Sequence, residues 1–291
     1  MICKLCPREC GVDRATARGW CGMGEKPKVA RAALHFWEEP CISGTRGSGA
    51  VFFSGCTLGC AYCQNYSLSH EGVGTEITPA RLAEIFKMLC DQGAHNINLI
   101  TGTQFVPAIL EALSLYRPAV PIVWNCGGYE KVETLRMLAG AVDIYLPDLK
   151  HVSSRLSALC ADAPDYFERA GDALREMCRQ TGAPVYDAQG VMQRGTLIRH
   201  LILPGCTTDS CRALDFIAAS LPPGTPVSLM RQYSPEPWCA VKGLDRRVTD
   251  KEYDRVLAHF QALGLDGYTQ ERDSADTRYT PLFDGTGVEK M

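Results

Sequence analysis

The sequence has no long apolar run and no marked excess of charge of either sign. Its 291 residues include 30 Lys and Arg against 33 Asp and Glu, a formal net charge of −3, and no stretch of 18 consecutive apolar residues. A helix that crosses a bilayer needs about 20 such residues, and nucleic-acid binding needs clustered Lys and Arg. We therefore expect neither a membrane nor a nucleic acid among the partners.

The first ten residues, MICKLCPREC, carry cysteines and charges where a secretory signal would carry its apolar stretch. We therefore expect a cytoplasmic protein. Hydrophobic residues make up 46% of the chain and charged residues 22%. This composition excludes a disordered scaffold and is sufficient for one large core.

Cysteine, by contrast, is abundant. The chain has 15 cysteines, and eight of them fall within the first 63 residues. An odd number without a secretory signal argues against a disulfide framework, because a reducing cytosol keeps thiols free for metals or catalysis. The seven later cysteines are scattered, and most of them are best interpreted as small buried apolar side chains.

Short apolar runs alternate with stretches of helical spacing, which predicts six β/α units. The predicted strands are 50–54, 96–100, 120–124, 142–146, 197–203 and 225–230. The predicted helices are 79–91, 105–115, 130–139, 164–181, 209–220 and one near 250–263, with capping signals at Thr78-Pro79 and Thr208-Asp209. Near-continuous apolar strands covered by helices indicate a parallel sheet. We therefore predict an α/β fold, a partial (βα)6 barrel of the TIM type.

We divide the chain into a Cys-rich, metal-binding segment over residues 1–45, a barrel core over 46–240, and a C-terminal helix and tail over 241–291. The first of these is expected to precede the first strand.

The most informative motif is GCTLGCAYCQN, which places Cys56, Cys60 and Cys63 directly after the first predicted strand. Spacings of three and two residues let one loop bring three thiolates to a 4Fe-4S cubane and leave the fourth iron without a protein ligand. Barrel enzymes place their sites at the C-terminal ends of strands, where this loop lies. Three structural thiols or a zinc knuckle are the alternative, which would have to account for this position and for the absence of a nearby fourth ligand.

This motif, with Tyr62 before the third cysteine, resembles the signature of the radical S-adenosylmethionine (SAM) superfamily. The resemblance implies a 4Fe-4S cluster and SAM as cofactors, and an electron donor such as flavodoxin or ferredoxin. It also implies that SAM is cleaved reductively to a 5'-deoxyadenosyl radical, which abstracts hydrogen from a substrate.

A closer resemblance, over roughly residues 3–265, is to radical SAM proteins similar to pyruvate formate-lyase activating enzyme. It rests on CKLCPREC, GSGAVFFSGCTLGCAYCQN, IVWNCGGYE, VDIYLPDLK, RHLILPG and VSLMRQY. The chain departs from glycyl-radical activases after the third cysteine, where Gln64-Asn65-Tyr66 stand in place of Asn-Pro-Glu. It also lacks their second, ferredoxin-like set of cysteines at that point.

This resemblance implies a SAM site at the strand ends. Thr101-Gly102-Thr103-Gln104 corresponds to the Gly-Gly-Glu that holds the SAM amino group in the activating enzymes, so oxygens of this stretch would replace the carboxylate. Asn125-Cys126 resembles their Asp-Thr pair, and Asp148 with Lys150 resembles their Asp-x-Lys. The predicted cofactor-binding residues are Tyr62, Gly102, Thr103, Gln104, Asn125, Asp148, Lys150 and His200.

Cys3, Cys6, Cys10 and Cys21 form a second, separate set of four thiols within nineteen residues, with glycines that allow tight turns around a metal. Zinc with a structural role and an auxiliary iron-sulfur cluster both fit this spacing, and Cys41 is an alternative ligand. Among weaker candidates, His35, Glu38 and Glu39 are expected at the barrel mouth or on a surface loop, and Arg199 beside SAM or substrate.

The sequence leaves the substrate open. An incomplete barrel has a lateral opening that admits a polypeptide loop, and the resemblance to activating enzymes points the same way. We therefore predict a protein or peptide substrate. The alternatives are an enzyme that acts on a small metabolite and a non-catalytic protein that binds zinc or an iron-sulfur cluster.

Overall fold

The computed structural model describes residues 2–270 and 280–289. Its strands are β1 Lys28–His35, β2 Ser48–Phe53, β3 Thr75–Glu76, β4 Ile97–Ile100, β5 Ile122–Cys126, β6 Ile144–Pro147, β7 Val185–Tyr186, β8 Met192–Thr196, β9 Ile198–Leu201, β10 Val227–Met230 and β11 Gly267–Thr269. Its α-helices are α1 Pro40–Ser43, α2 Tyr66–Ser69, α3 Pro79–Asp91, α4 Val106–Leu115, α5 Val132–Met137, α6 Ser154–Ala161, α7 Tyr166–Thr181, α8 Thr207–Ser220 and α9 Asp250–Ala262, with a 3-10 turn at Thr103–Phe105.

A run of parallel strands forms an open barrel. One sheet has the order β3-β1-β2-β4-β5-β6-β8-β7 and the other β11-β10-β9. The strand path continues from β8 into β9 through Leu197, and a parallel bridge from Asp148 to Arg199 joins the two sheets. The parallel path β2-β4-β5-β6-β8/β9-β10 contains all six predicted strands. The predicted partial barrel is therefore confirmed.

Strand β1, which the sequence analysis missed, pairs antiparallel with β2, from Val29 opposite Phe53 to His35 opposite Ser48. The expectation that the first strand starts after residue 45 is therefore wrong. The run KVARAALH was missed because alanines and two charged residues give a weak strand signal. The pairing brings the residues after His35 to the N-terminal end of β2.

The helices cover the outer face of the barrel. Their apolar faces and the outward side chains of the strands form one large core, with Trp124, Phe86 and Tyr145 fully buried. Thr78 caps α3 as predicted, because its hydroxyl accepts the N–H of Arg81 at 3.1 Å. No described helix is long and apolar enough to cross a membrane.

The predicted cap at Thr208-Asp209 is wrong. Helix α8 starts at Thr207, and its N-cap residue, Cys206, makes no capping hydrogen bond through its side chain. The Asp209 carboxylate points away from its own helix and accepts the N–H groups of Val152 and Ser153 at 3.1 and 2.8 Å. It thereby holds the loop after β6.

Candidate functional site

A cavity of about 740 Å³ occupies the inside of the barrel. The loop after β2 borders it at the C-terminal ends of the strands, and the segment between β1 and α1 borders it at the opposite end. We call Cys56, Cys60 and Cys63 the thiol end, and Glu38, Glu39 and Arg199 the acid end; all six residues line the cavity. Each end has its own chemistry.

The thiol end consists of three cysteines on one loop. The N–H groups of Leu58 and Gly59 point at the Cys56 sulfur at 3.3 and 3.5 Å. Burial raises the pKa of both Cys60 and Cys63. Ligation by a metal displaces the thiol proton, and backbone N–H donors stabilise the resulting thiolate. Three thiols on one loop, with two such donors at Cys56, fit an iron-sulfur cluster.

Two side chains hold this loop in place. Gln104 Nε2 donates to the carbonyls of Ser54 and Gly55 at 2.9 and 3.1 Å, where the loop leaves β2. Arg8, from the N-terminal segment, donates to the carbonyls of Thr57 and Leu58 at 3.0 and 3.3 Å, between the first two cysteines of the loop. Both the barrel and the N-terminal segment therefore fix the loop.

Between the two ends, Asp148 bonds to two cations. Lys150 Nζ donates to Asp148 Oδ2 at 2.6 Å, and Arg199 Nε donates to Asp148 Oδ1 at 2.9 Å. Burial raises the pKa of Asp148, but Arg199 and Lys150 outweigh it and the pKa falls below its usual value. Burial lowers the pKa of Lys150, yet Asp148 and Cys60 raise it well above its usual range. All three side chains therefore stay charged at neutral pH.

The acid end continues this network. Arg199 Nη1 donates to Glu38 Oε2 at 3.2 Å, and Arg199 Nη2 donates to Asn125 Oδ1 at 2.6 Å. Asn98 and Asn125 each donate to Glu38 Oε1 at 3.2 Å. Burial raises the pKa of both Glu38 and Glu39, and Arg199 opposes that rise.

The predicted cofactor-binding residues fall into two groups. Tyr62, Asn125, Asp148 and Lys150 line the cavity. Gly102, Thr103, Gln104 and His200 are buried behind its lining.

The members of the second group have partners elsewhere. Thr103 donates to Glu130 Oε1 at 2.6 Å, and His200 Nδ1 lies 2.6 Å from the Leu149 carbonyl. Burial lowers the pKa of His200, so this ring stays neutral. These side chains support the strand ends that carry the first group.

Tyr62 belongs to a chain of polar groups that leads out of the cavity. Its hydroxyl lies 3.1 Å from His151 Nε2, and His151 Nδ1 lies 3.8 Å from the Asp209 carboxylate. Burial raises the pKa of Tyr62 well above its usual value, so the phenol remains protonated.

Glu130 is a buried acid next to the site that was not predicted from the sequence. Glu130 is 2% exposed, and burial raises its pKa to about 8, although the Thr103 hydroxyl and the Cys126 thiol oppose that rise. Cys126 lines the cavity at the end of β5. Glu130 is the last residue of the motif IVWNCGGYE, but sequence alone does not show that a glutamate six residues beyond a tryptophan is buried.

The N-terminal cysteines lie close to one another. A side chain at Gly19 would lie 3.4 Å from the sulfurs of both Cys10 and Cys21. Burial raises the pKa of Cys10, but N–H groups of Trp20 and Val12 and the Cys3 thiol lower it below the usual value. Burial raises the pKa of Cys6 to about 12.

Two further findings bear on this set of thiols. Cys41 packs in a different place, against Ile42 and Val123 at the base of the barrel. Within residues 2–270 and 280–289, no three Cys, His, Asp or Glu side chains are grouped as they would be around a single metal ion. The second metal centre therefore stays a prediction.

Known proteins match this chain in sequence. The sequence profile of the radical SAM superfamily matches residues 50–206, which is more than half of the chain. An uncharacterized protein of Methanocaldococcus jannaschii is 29% identical over 277 residues, covering 91% of this chain and 75% of that protein.

Solved structures share the fold. A radical SAM methyltransferase from Sphaerobacter thermophilus is similar with a TM-score of 0.54 and 15% identity, covering 77% of this chain and 66% of that one. SuiB of Streptococcus suis, bound to S-adenosylmethionine, is similar with a TM-score of 0.50 and 14% identity, covering 75% and 49%. The match therefore spans about two thirds of the methyltransferase and half of SuiB. On the profile match, the chain belongs to the radical SAM superfamily, whose cofactors are a 4Fe-4S cluster and SAM.

Proposed function

We propose that this protein is a radical SAM enzyme in which Cys56, Cys60 and Cys63 hold the 4Fe-4S cluster. The observation that carries the proposal is that all three thiols line one cavity with Asp148 and Lys150. When bound and reduced, the cluster supplies the electron that cleaves SAM and so provides the radical that takes hydrogen from a substrate.

The residues near the thiol end suit the polar groups of SAM. The Lys150 ammonium, held by Asp148, can donate to the methionyl carboxylate or to a ribose hydroxyl. Asn125 and Tyr62 add an amide and a phenol that face the same cavity. The four predicted residues behind the cavity lining would act indirectly, by fixing the loops that carry these groups; they are Gly102, Thr103, Gln104 and His200.

For the substrate, we propose a protein or peptide, as in enzymes that resemble the pyruvate formate-lyase activating enzyme. Phe36 and Trp37 line the cavity and are 49% and 61% exposed, so they offer an apolar surface at its edge. SuiB, which shares the fold with a TM-score of 0.52, has been solved bound to its precursor peptide SuiA. Flavodoxin or ferredoxin would supply the electron.

A small metabolite is the second candidate, and the size of the cavity favours it. A volume of about 740 Å³ lies within the roughly 300–1,000 Å³ typical of small-molecule sites. A methylornithine synthase shares the fold, with a TM-score of 0.50 and 14% identity over 82% of this chain.

We further propose that Cys3, Cys6, Cys10 and Cys21 hold zinc or an auxiliary iron-sulfur cluster in the segment over residues 1–45. Arg8 lies within this set of thiols and bonds to the loop of the thiol end. A metal there would thus stabilise the segment that positions the catalytic loop. Metal analysis of a variant that lacks Cys56, Cys60 and Cys63 should still find one equivalent of zinc or the iron of one cluster.

The test of the main proposal is formation of 5'-deoxyadenosine from SAM by the anaerobically reconstituted, reduced protein. The wild type should form it, and Cys56→Ala, Cys60→Ala and Cys63→Ala should not, because a cubane with an open iron needs all three thiolates. Cys211→Ala is the control, since this half-buried cysteine lies on α8 outside the cavity lining. Retained cleavage in the three variants would contradict the proposal.

Protein and metabolite substrates are distinguished by following deuterium. An extract from cells grown on deuterated medium is separated into macromolecules and small molecules, and each fraction is incubated with the enzyme and unlabelled SAM. Deuterium should reach 5'-deoxyadenosine from the macromolecular fraction. Transfer from the small-molecule fraction alone would favour the second candidate.

A further inference from the structure

The described residues that line the cavity carry unequal numbers of positive and negative groups. Glu38, Glu39 and Asp148 face it with three carboxylates, whereas Arg199 and Lys150 supply two cations. His35 also lines the cavity, but burial lowers its pKa, so the ring is neutral at pH 7. The lining therefore has one carboxylate in excess.

Glu39 is the carboxylate that lacks a cation of its own. The recorded bonds of Arg199 go to Asp148, Glu38 and Asn125, and that of Lys150 goes to Asp148. Glu39 is 9% exposed, and its Oε2 has no hydrogen-bond partner among the described residues. A buried carboxylate oxygen without a partner is costly, so this position favours a ligand that brings a positive charge.

The segment that carries Glu39 begins at the opposite end of β2 from the thiols, although its neighbour Glu38 bonds to Asn125, one of the residues proposed to face SAM. Cys56 follows the C-terminal end of β2, whereas Glu38 and Glu39 follow His35, which pairs with Ser48 at the other end of that strand. At roughly 3.3 Å per residue, the six residues of β2 extend over about 17 Å. When a molecule is anchored at the thiols and Lys150, Glu39, whose side-chain hydrogen bond goes to Ser228, remains for the other reactant.

Apolar side chains of the cavity lining, at the C-terminal ends of the strands, suit an alkyl chain. Phe52, Ile100, Leu201 and Met230 line the cavity with apolar side chains. Ser228, whose hydroxyl donates to the Glu39 carboxyl, also lines the cavity, and its oxygen can accept from a cation next to the acid. An extended aliphatic group that ends in a cation would match both these apolar side chains and the acid end.

We propose that the acid end is a subsite for an alkylammonium or alkylguanidinium group of the substrate, with Glu39 as its counter-ion. That this group belongs to a substrate rests on the function proposed above, whereas the binding of the cation does not. A lysine or arginine side chain of a polypeptide and a free aliphatic amine share this chemistry. Glu39 is then a specificity-determining residue.

The first test measures binding without catalysis. Isothermal titration of the cluster-loaded, unreduced protein compares n-butylammonium and n-butylguanidinium with the uncharged n-butanol. The wild type should bind the cations at least tenfold more tightly than the alcohol, and Glu39→Gln should abolish that preference. Equal affinity of the wild type for the three probes would overturn the inference.

Two controls accompany this titration. Glu111→Gln, an exposed glutamate on α4, should keep the wild-type preference for cations. Glu39→Gln is nearly isosteric, and its thermal midpoint should remain at or above that of the wild type, because the change removes an unpaired charge. A preference for cations that persists in a folded Glu39→Gln protein would contradict the assignment to Glu39.

The second test adds dithionite and SAM and uses butylamine deuterated on carbon. Deuterium should appear in 5'-deoxyadenosine with the wild type and fall at least tenfold with Glu39→Gln. Competition by an acetylated and amidated Gly-Lys-Gly peptide or by free agmatine shows whether a polypeptide or a free amine binds better. If no 5'-deoxyadenosine forms in any arm, the proposed function fails, whereas the titration decides this inference alone.

Discussion

The two ends of the cavity are built in different ways. The thiol end lies on a single loop of eight residues, where two backbone N–H groups point at the Cys56 sulfur and the three cysteines pack against the apolar core. The acid end is assembled from side chains of distant segments, with Arg199 bonded to Glu38, Asn125 and Asp148. One end therefore depends on the shape of a loop and the other on a balance of buried charges.

This difference predicts different consequences of substitution. A cysteine replaced at the thiol end removes a ligand and leaves behind a small apolar gap. Replacing Glu38 or Arg199 leaves a bonded partner buried and uncompensated, which destabilises the whole fold, whereas Glu39 has no bonded cation to leave behind. Substitutions at the thiol end should therefore mainly reduce activity, and those in the ion-pair network of the acid end should mainly reduce stability.

The largest effect is expected at the thiol end. Cys60→Ala should lower the iron content and reduce 5'-deoxyadenosine formation by more than about 100-fold, because a thiolate ligand of the cluster is missing. The free energy of unfolding of the metal-free protein should change by only roughly 1 to 2 kcal/mol, as for a small core truncation. Iron analysis, product chromatography and urea denaturation measure the three quantities. A large loss of stability of metal-free Cys60→Ala would contradict the proposed difference between the two ends.

A substitution in the ion-pair network of the acid end should lower the stability of the metal-free protein more than Cys60→Ala does. Arg199→Met removes the cation shared by Glu38 and Asp148. Breaking a buried ion pair from one side typically costs about 3 to 5 kcal/mol. Urea denaturation of the metal-free protein measures this loss, and Arg199→Lys should recover part of it. If Arg199→Met were as stable as the wild type, the network would not hold the barrel together.

Glu130 is buried behind Cys126 of the cavity lining, and its replacement should have a smaller effect on stability that depends on pH. Its folded-state pKa of about 8 is above the ordinary value of 4.5, so the unfolded chain releases its proton first. Stability should therefore fall as the pH rises from about 4.5 to 8. Glu130→Gln should match the wild type near pH 5 and exceed its thermal midpoint at pH 8 by on the order of 5 °C. A constant difference across this range would contradict the raised pKa.

The smallest effect is expected far from the cavity. Thr249 caps α9, with its side chain bonded to the Glu252 N–H and the Glu252 carboxylate bonded back to Thr249. Thr249→Ala should cost about 1 kcal/mol of unfolding free energy, as for other helix caps. Its 5'-deoxyadenosine formation should equal that of the wild type, which provides a baseline for the other variants.

The same difference explains what the sequence could predict. The thiol end and the six parallel strands were predictable because each lies within one short stretch with its own period or spacing. The acid end was not, because Glu38 and Glu39 lie in the run HFWEEP, which is also compatible with a solvated loop. Only the pairing of β1 with β2 brings this run to the inside of the barrel.

Gln104 gives a second example of this limit. The resemblance to activating enzymes suggests a SAM ligand at this position, yet the side chain bonds to the carbonyls of Ser54, Gly55 and Thr101. An amide at a strand end can serve either purpose, and only tertiary structure shows which carbonyls lie within its reach.

Electron paramagnetic resonance of the reduced protein, recorded before and after addition of SAM, tests whether SAM binds at the thiol end and not at Glu39. We expect a cluster signal that SAM shifts in the wild type and equally in Glu39→Gln, and no such signal in Cys60→Ala. A wild-type signal that SAM leaves unchanged, or a SAM response lost in Glu39→Gln, would contradict the assignment of SAM to the thiol end.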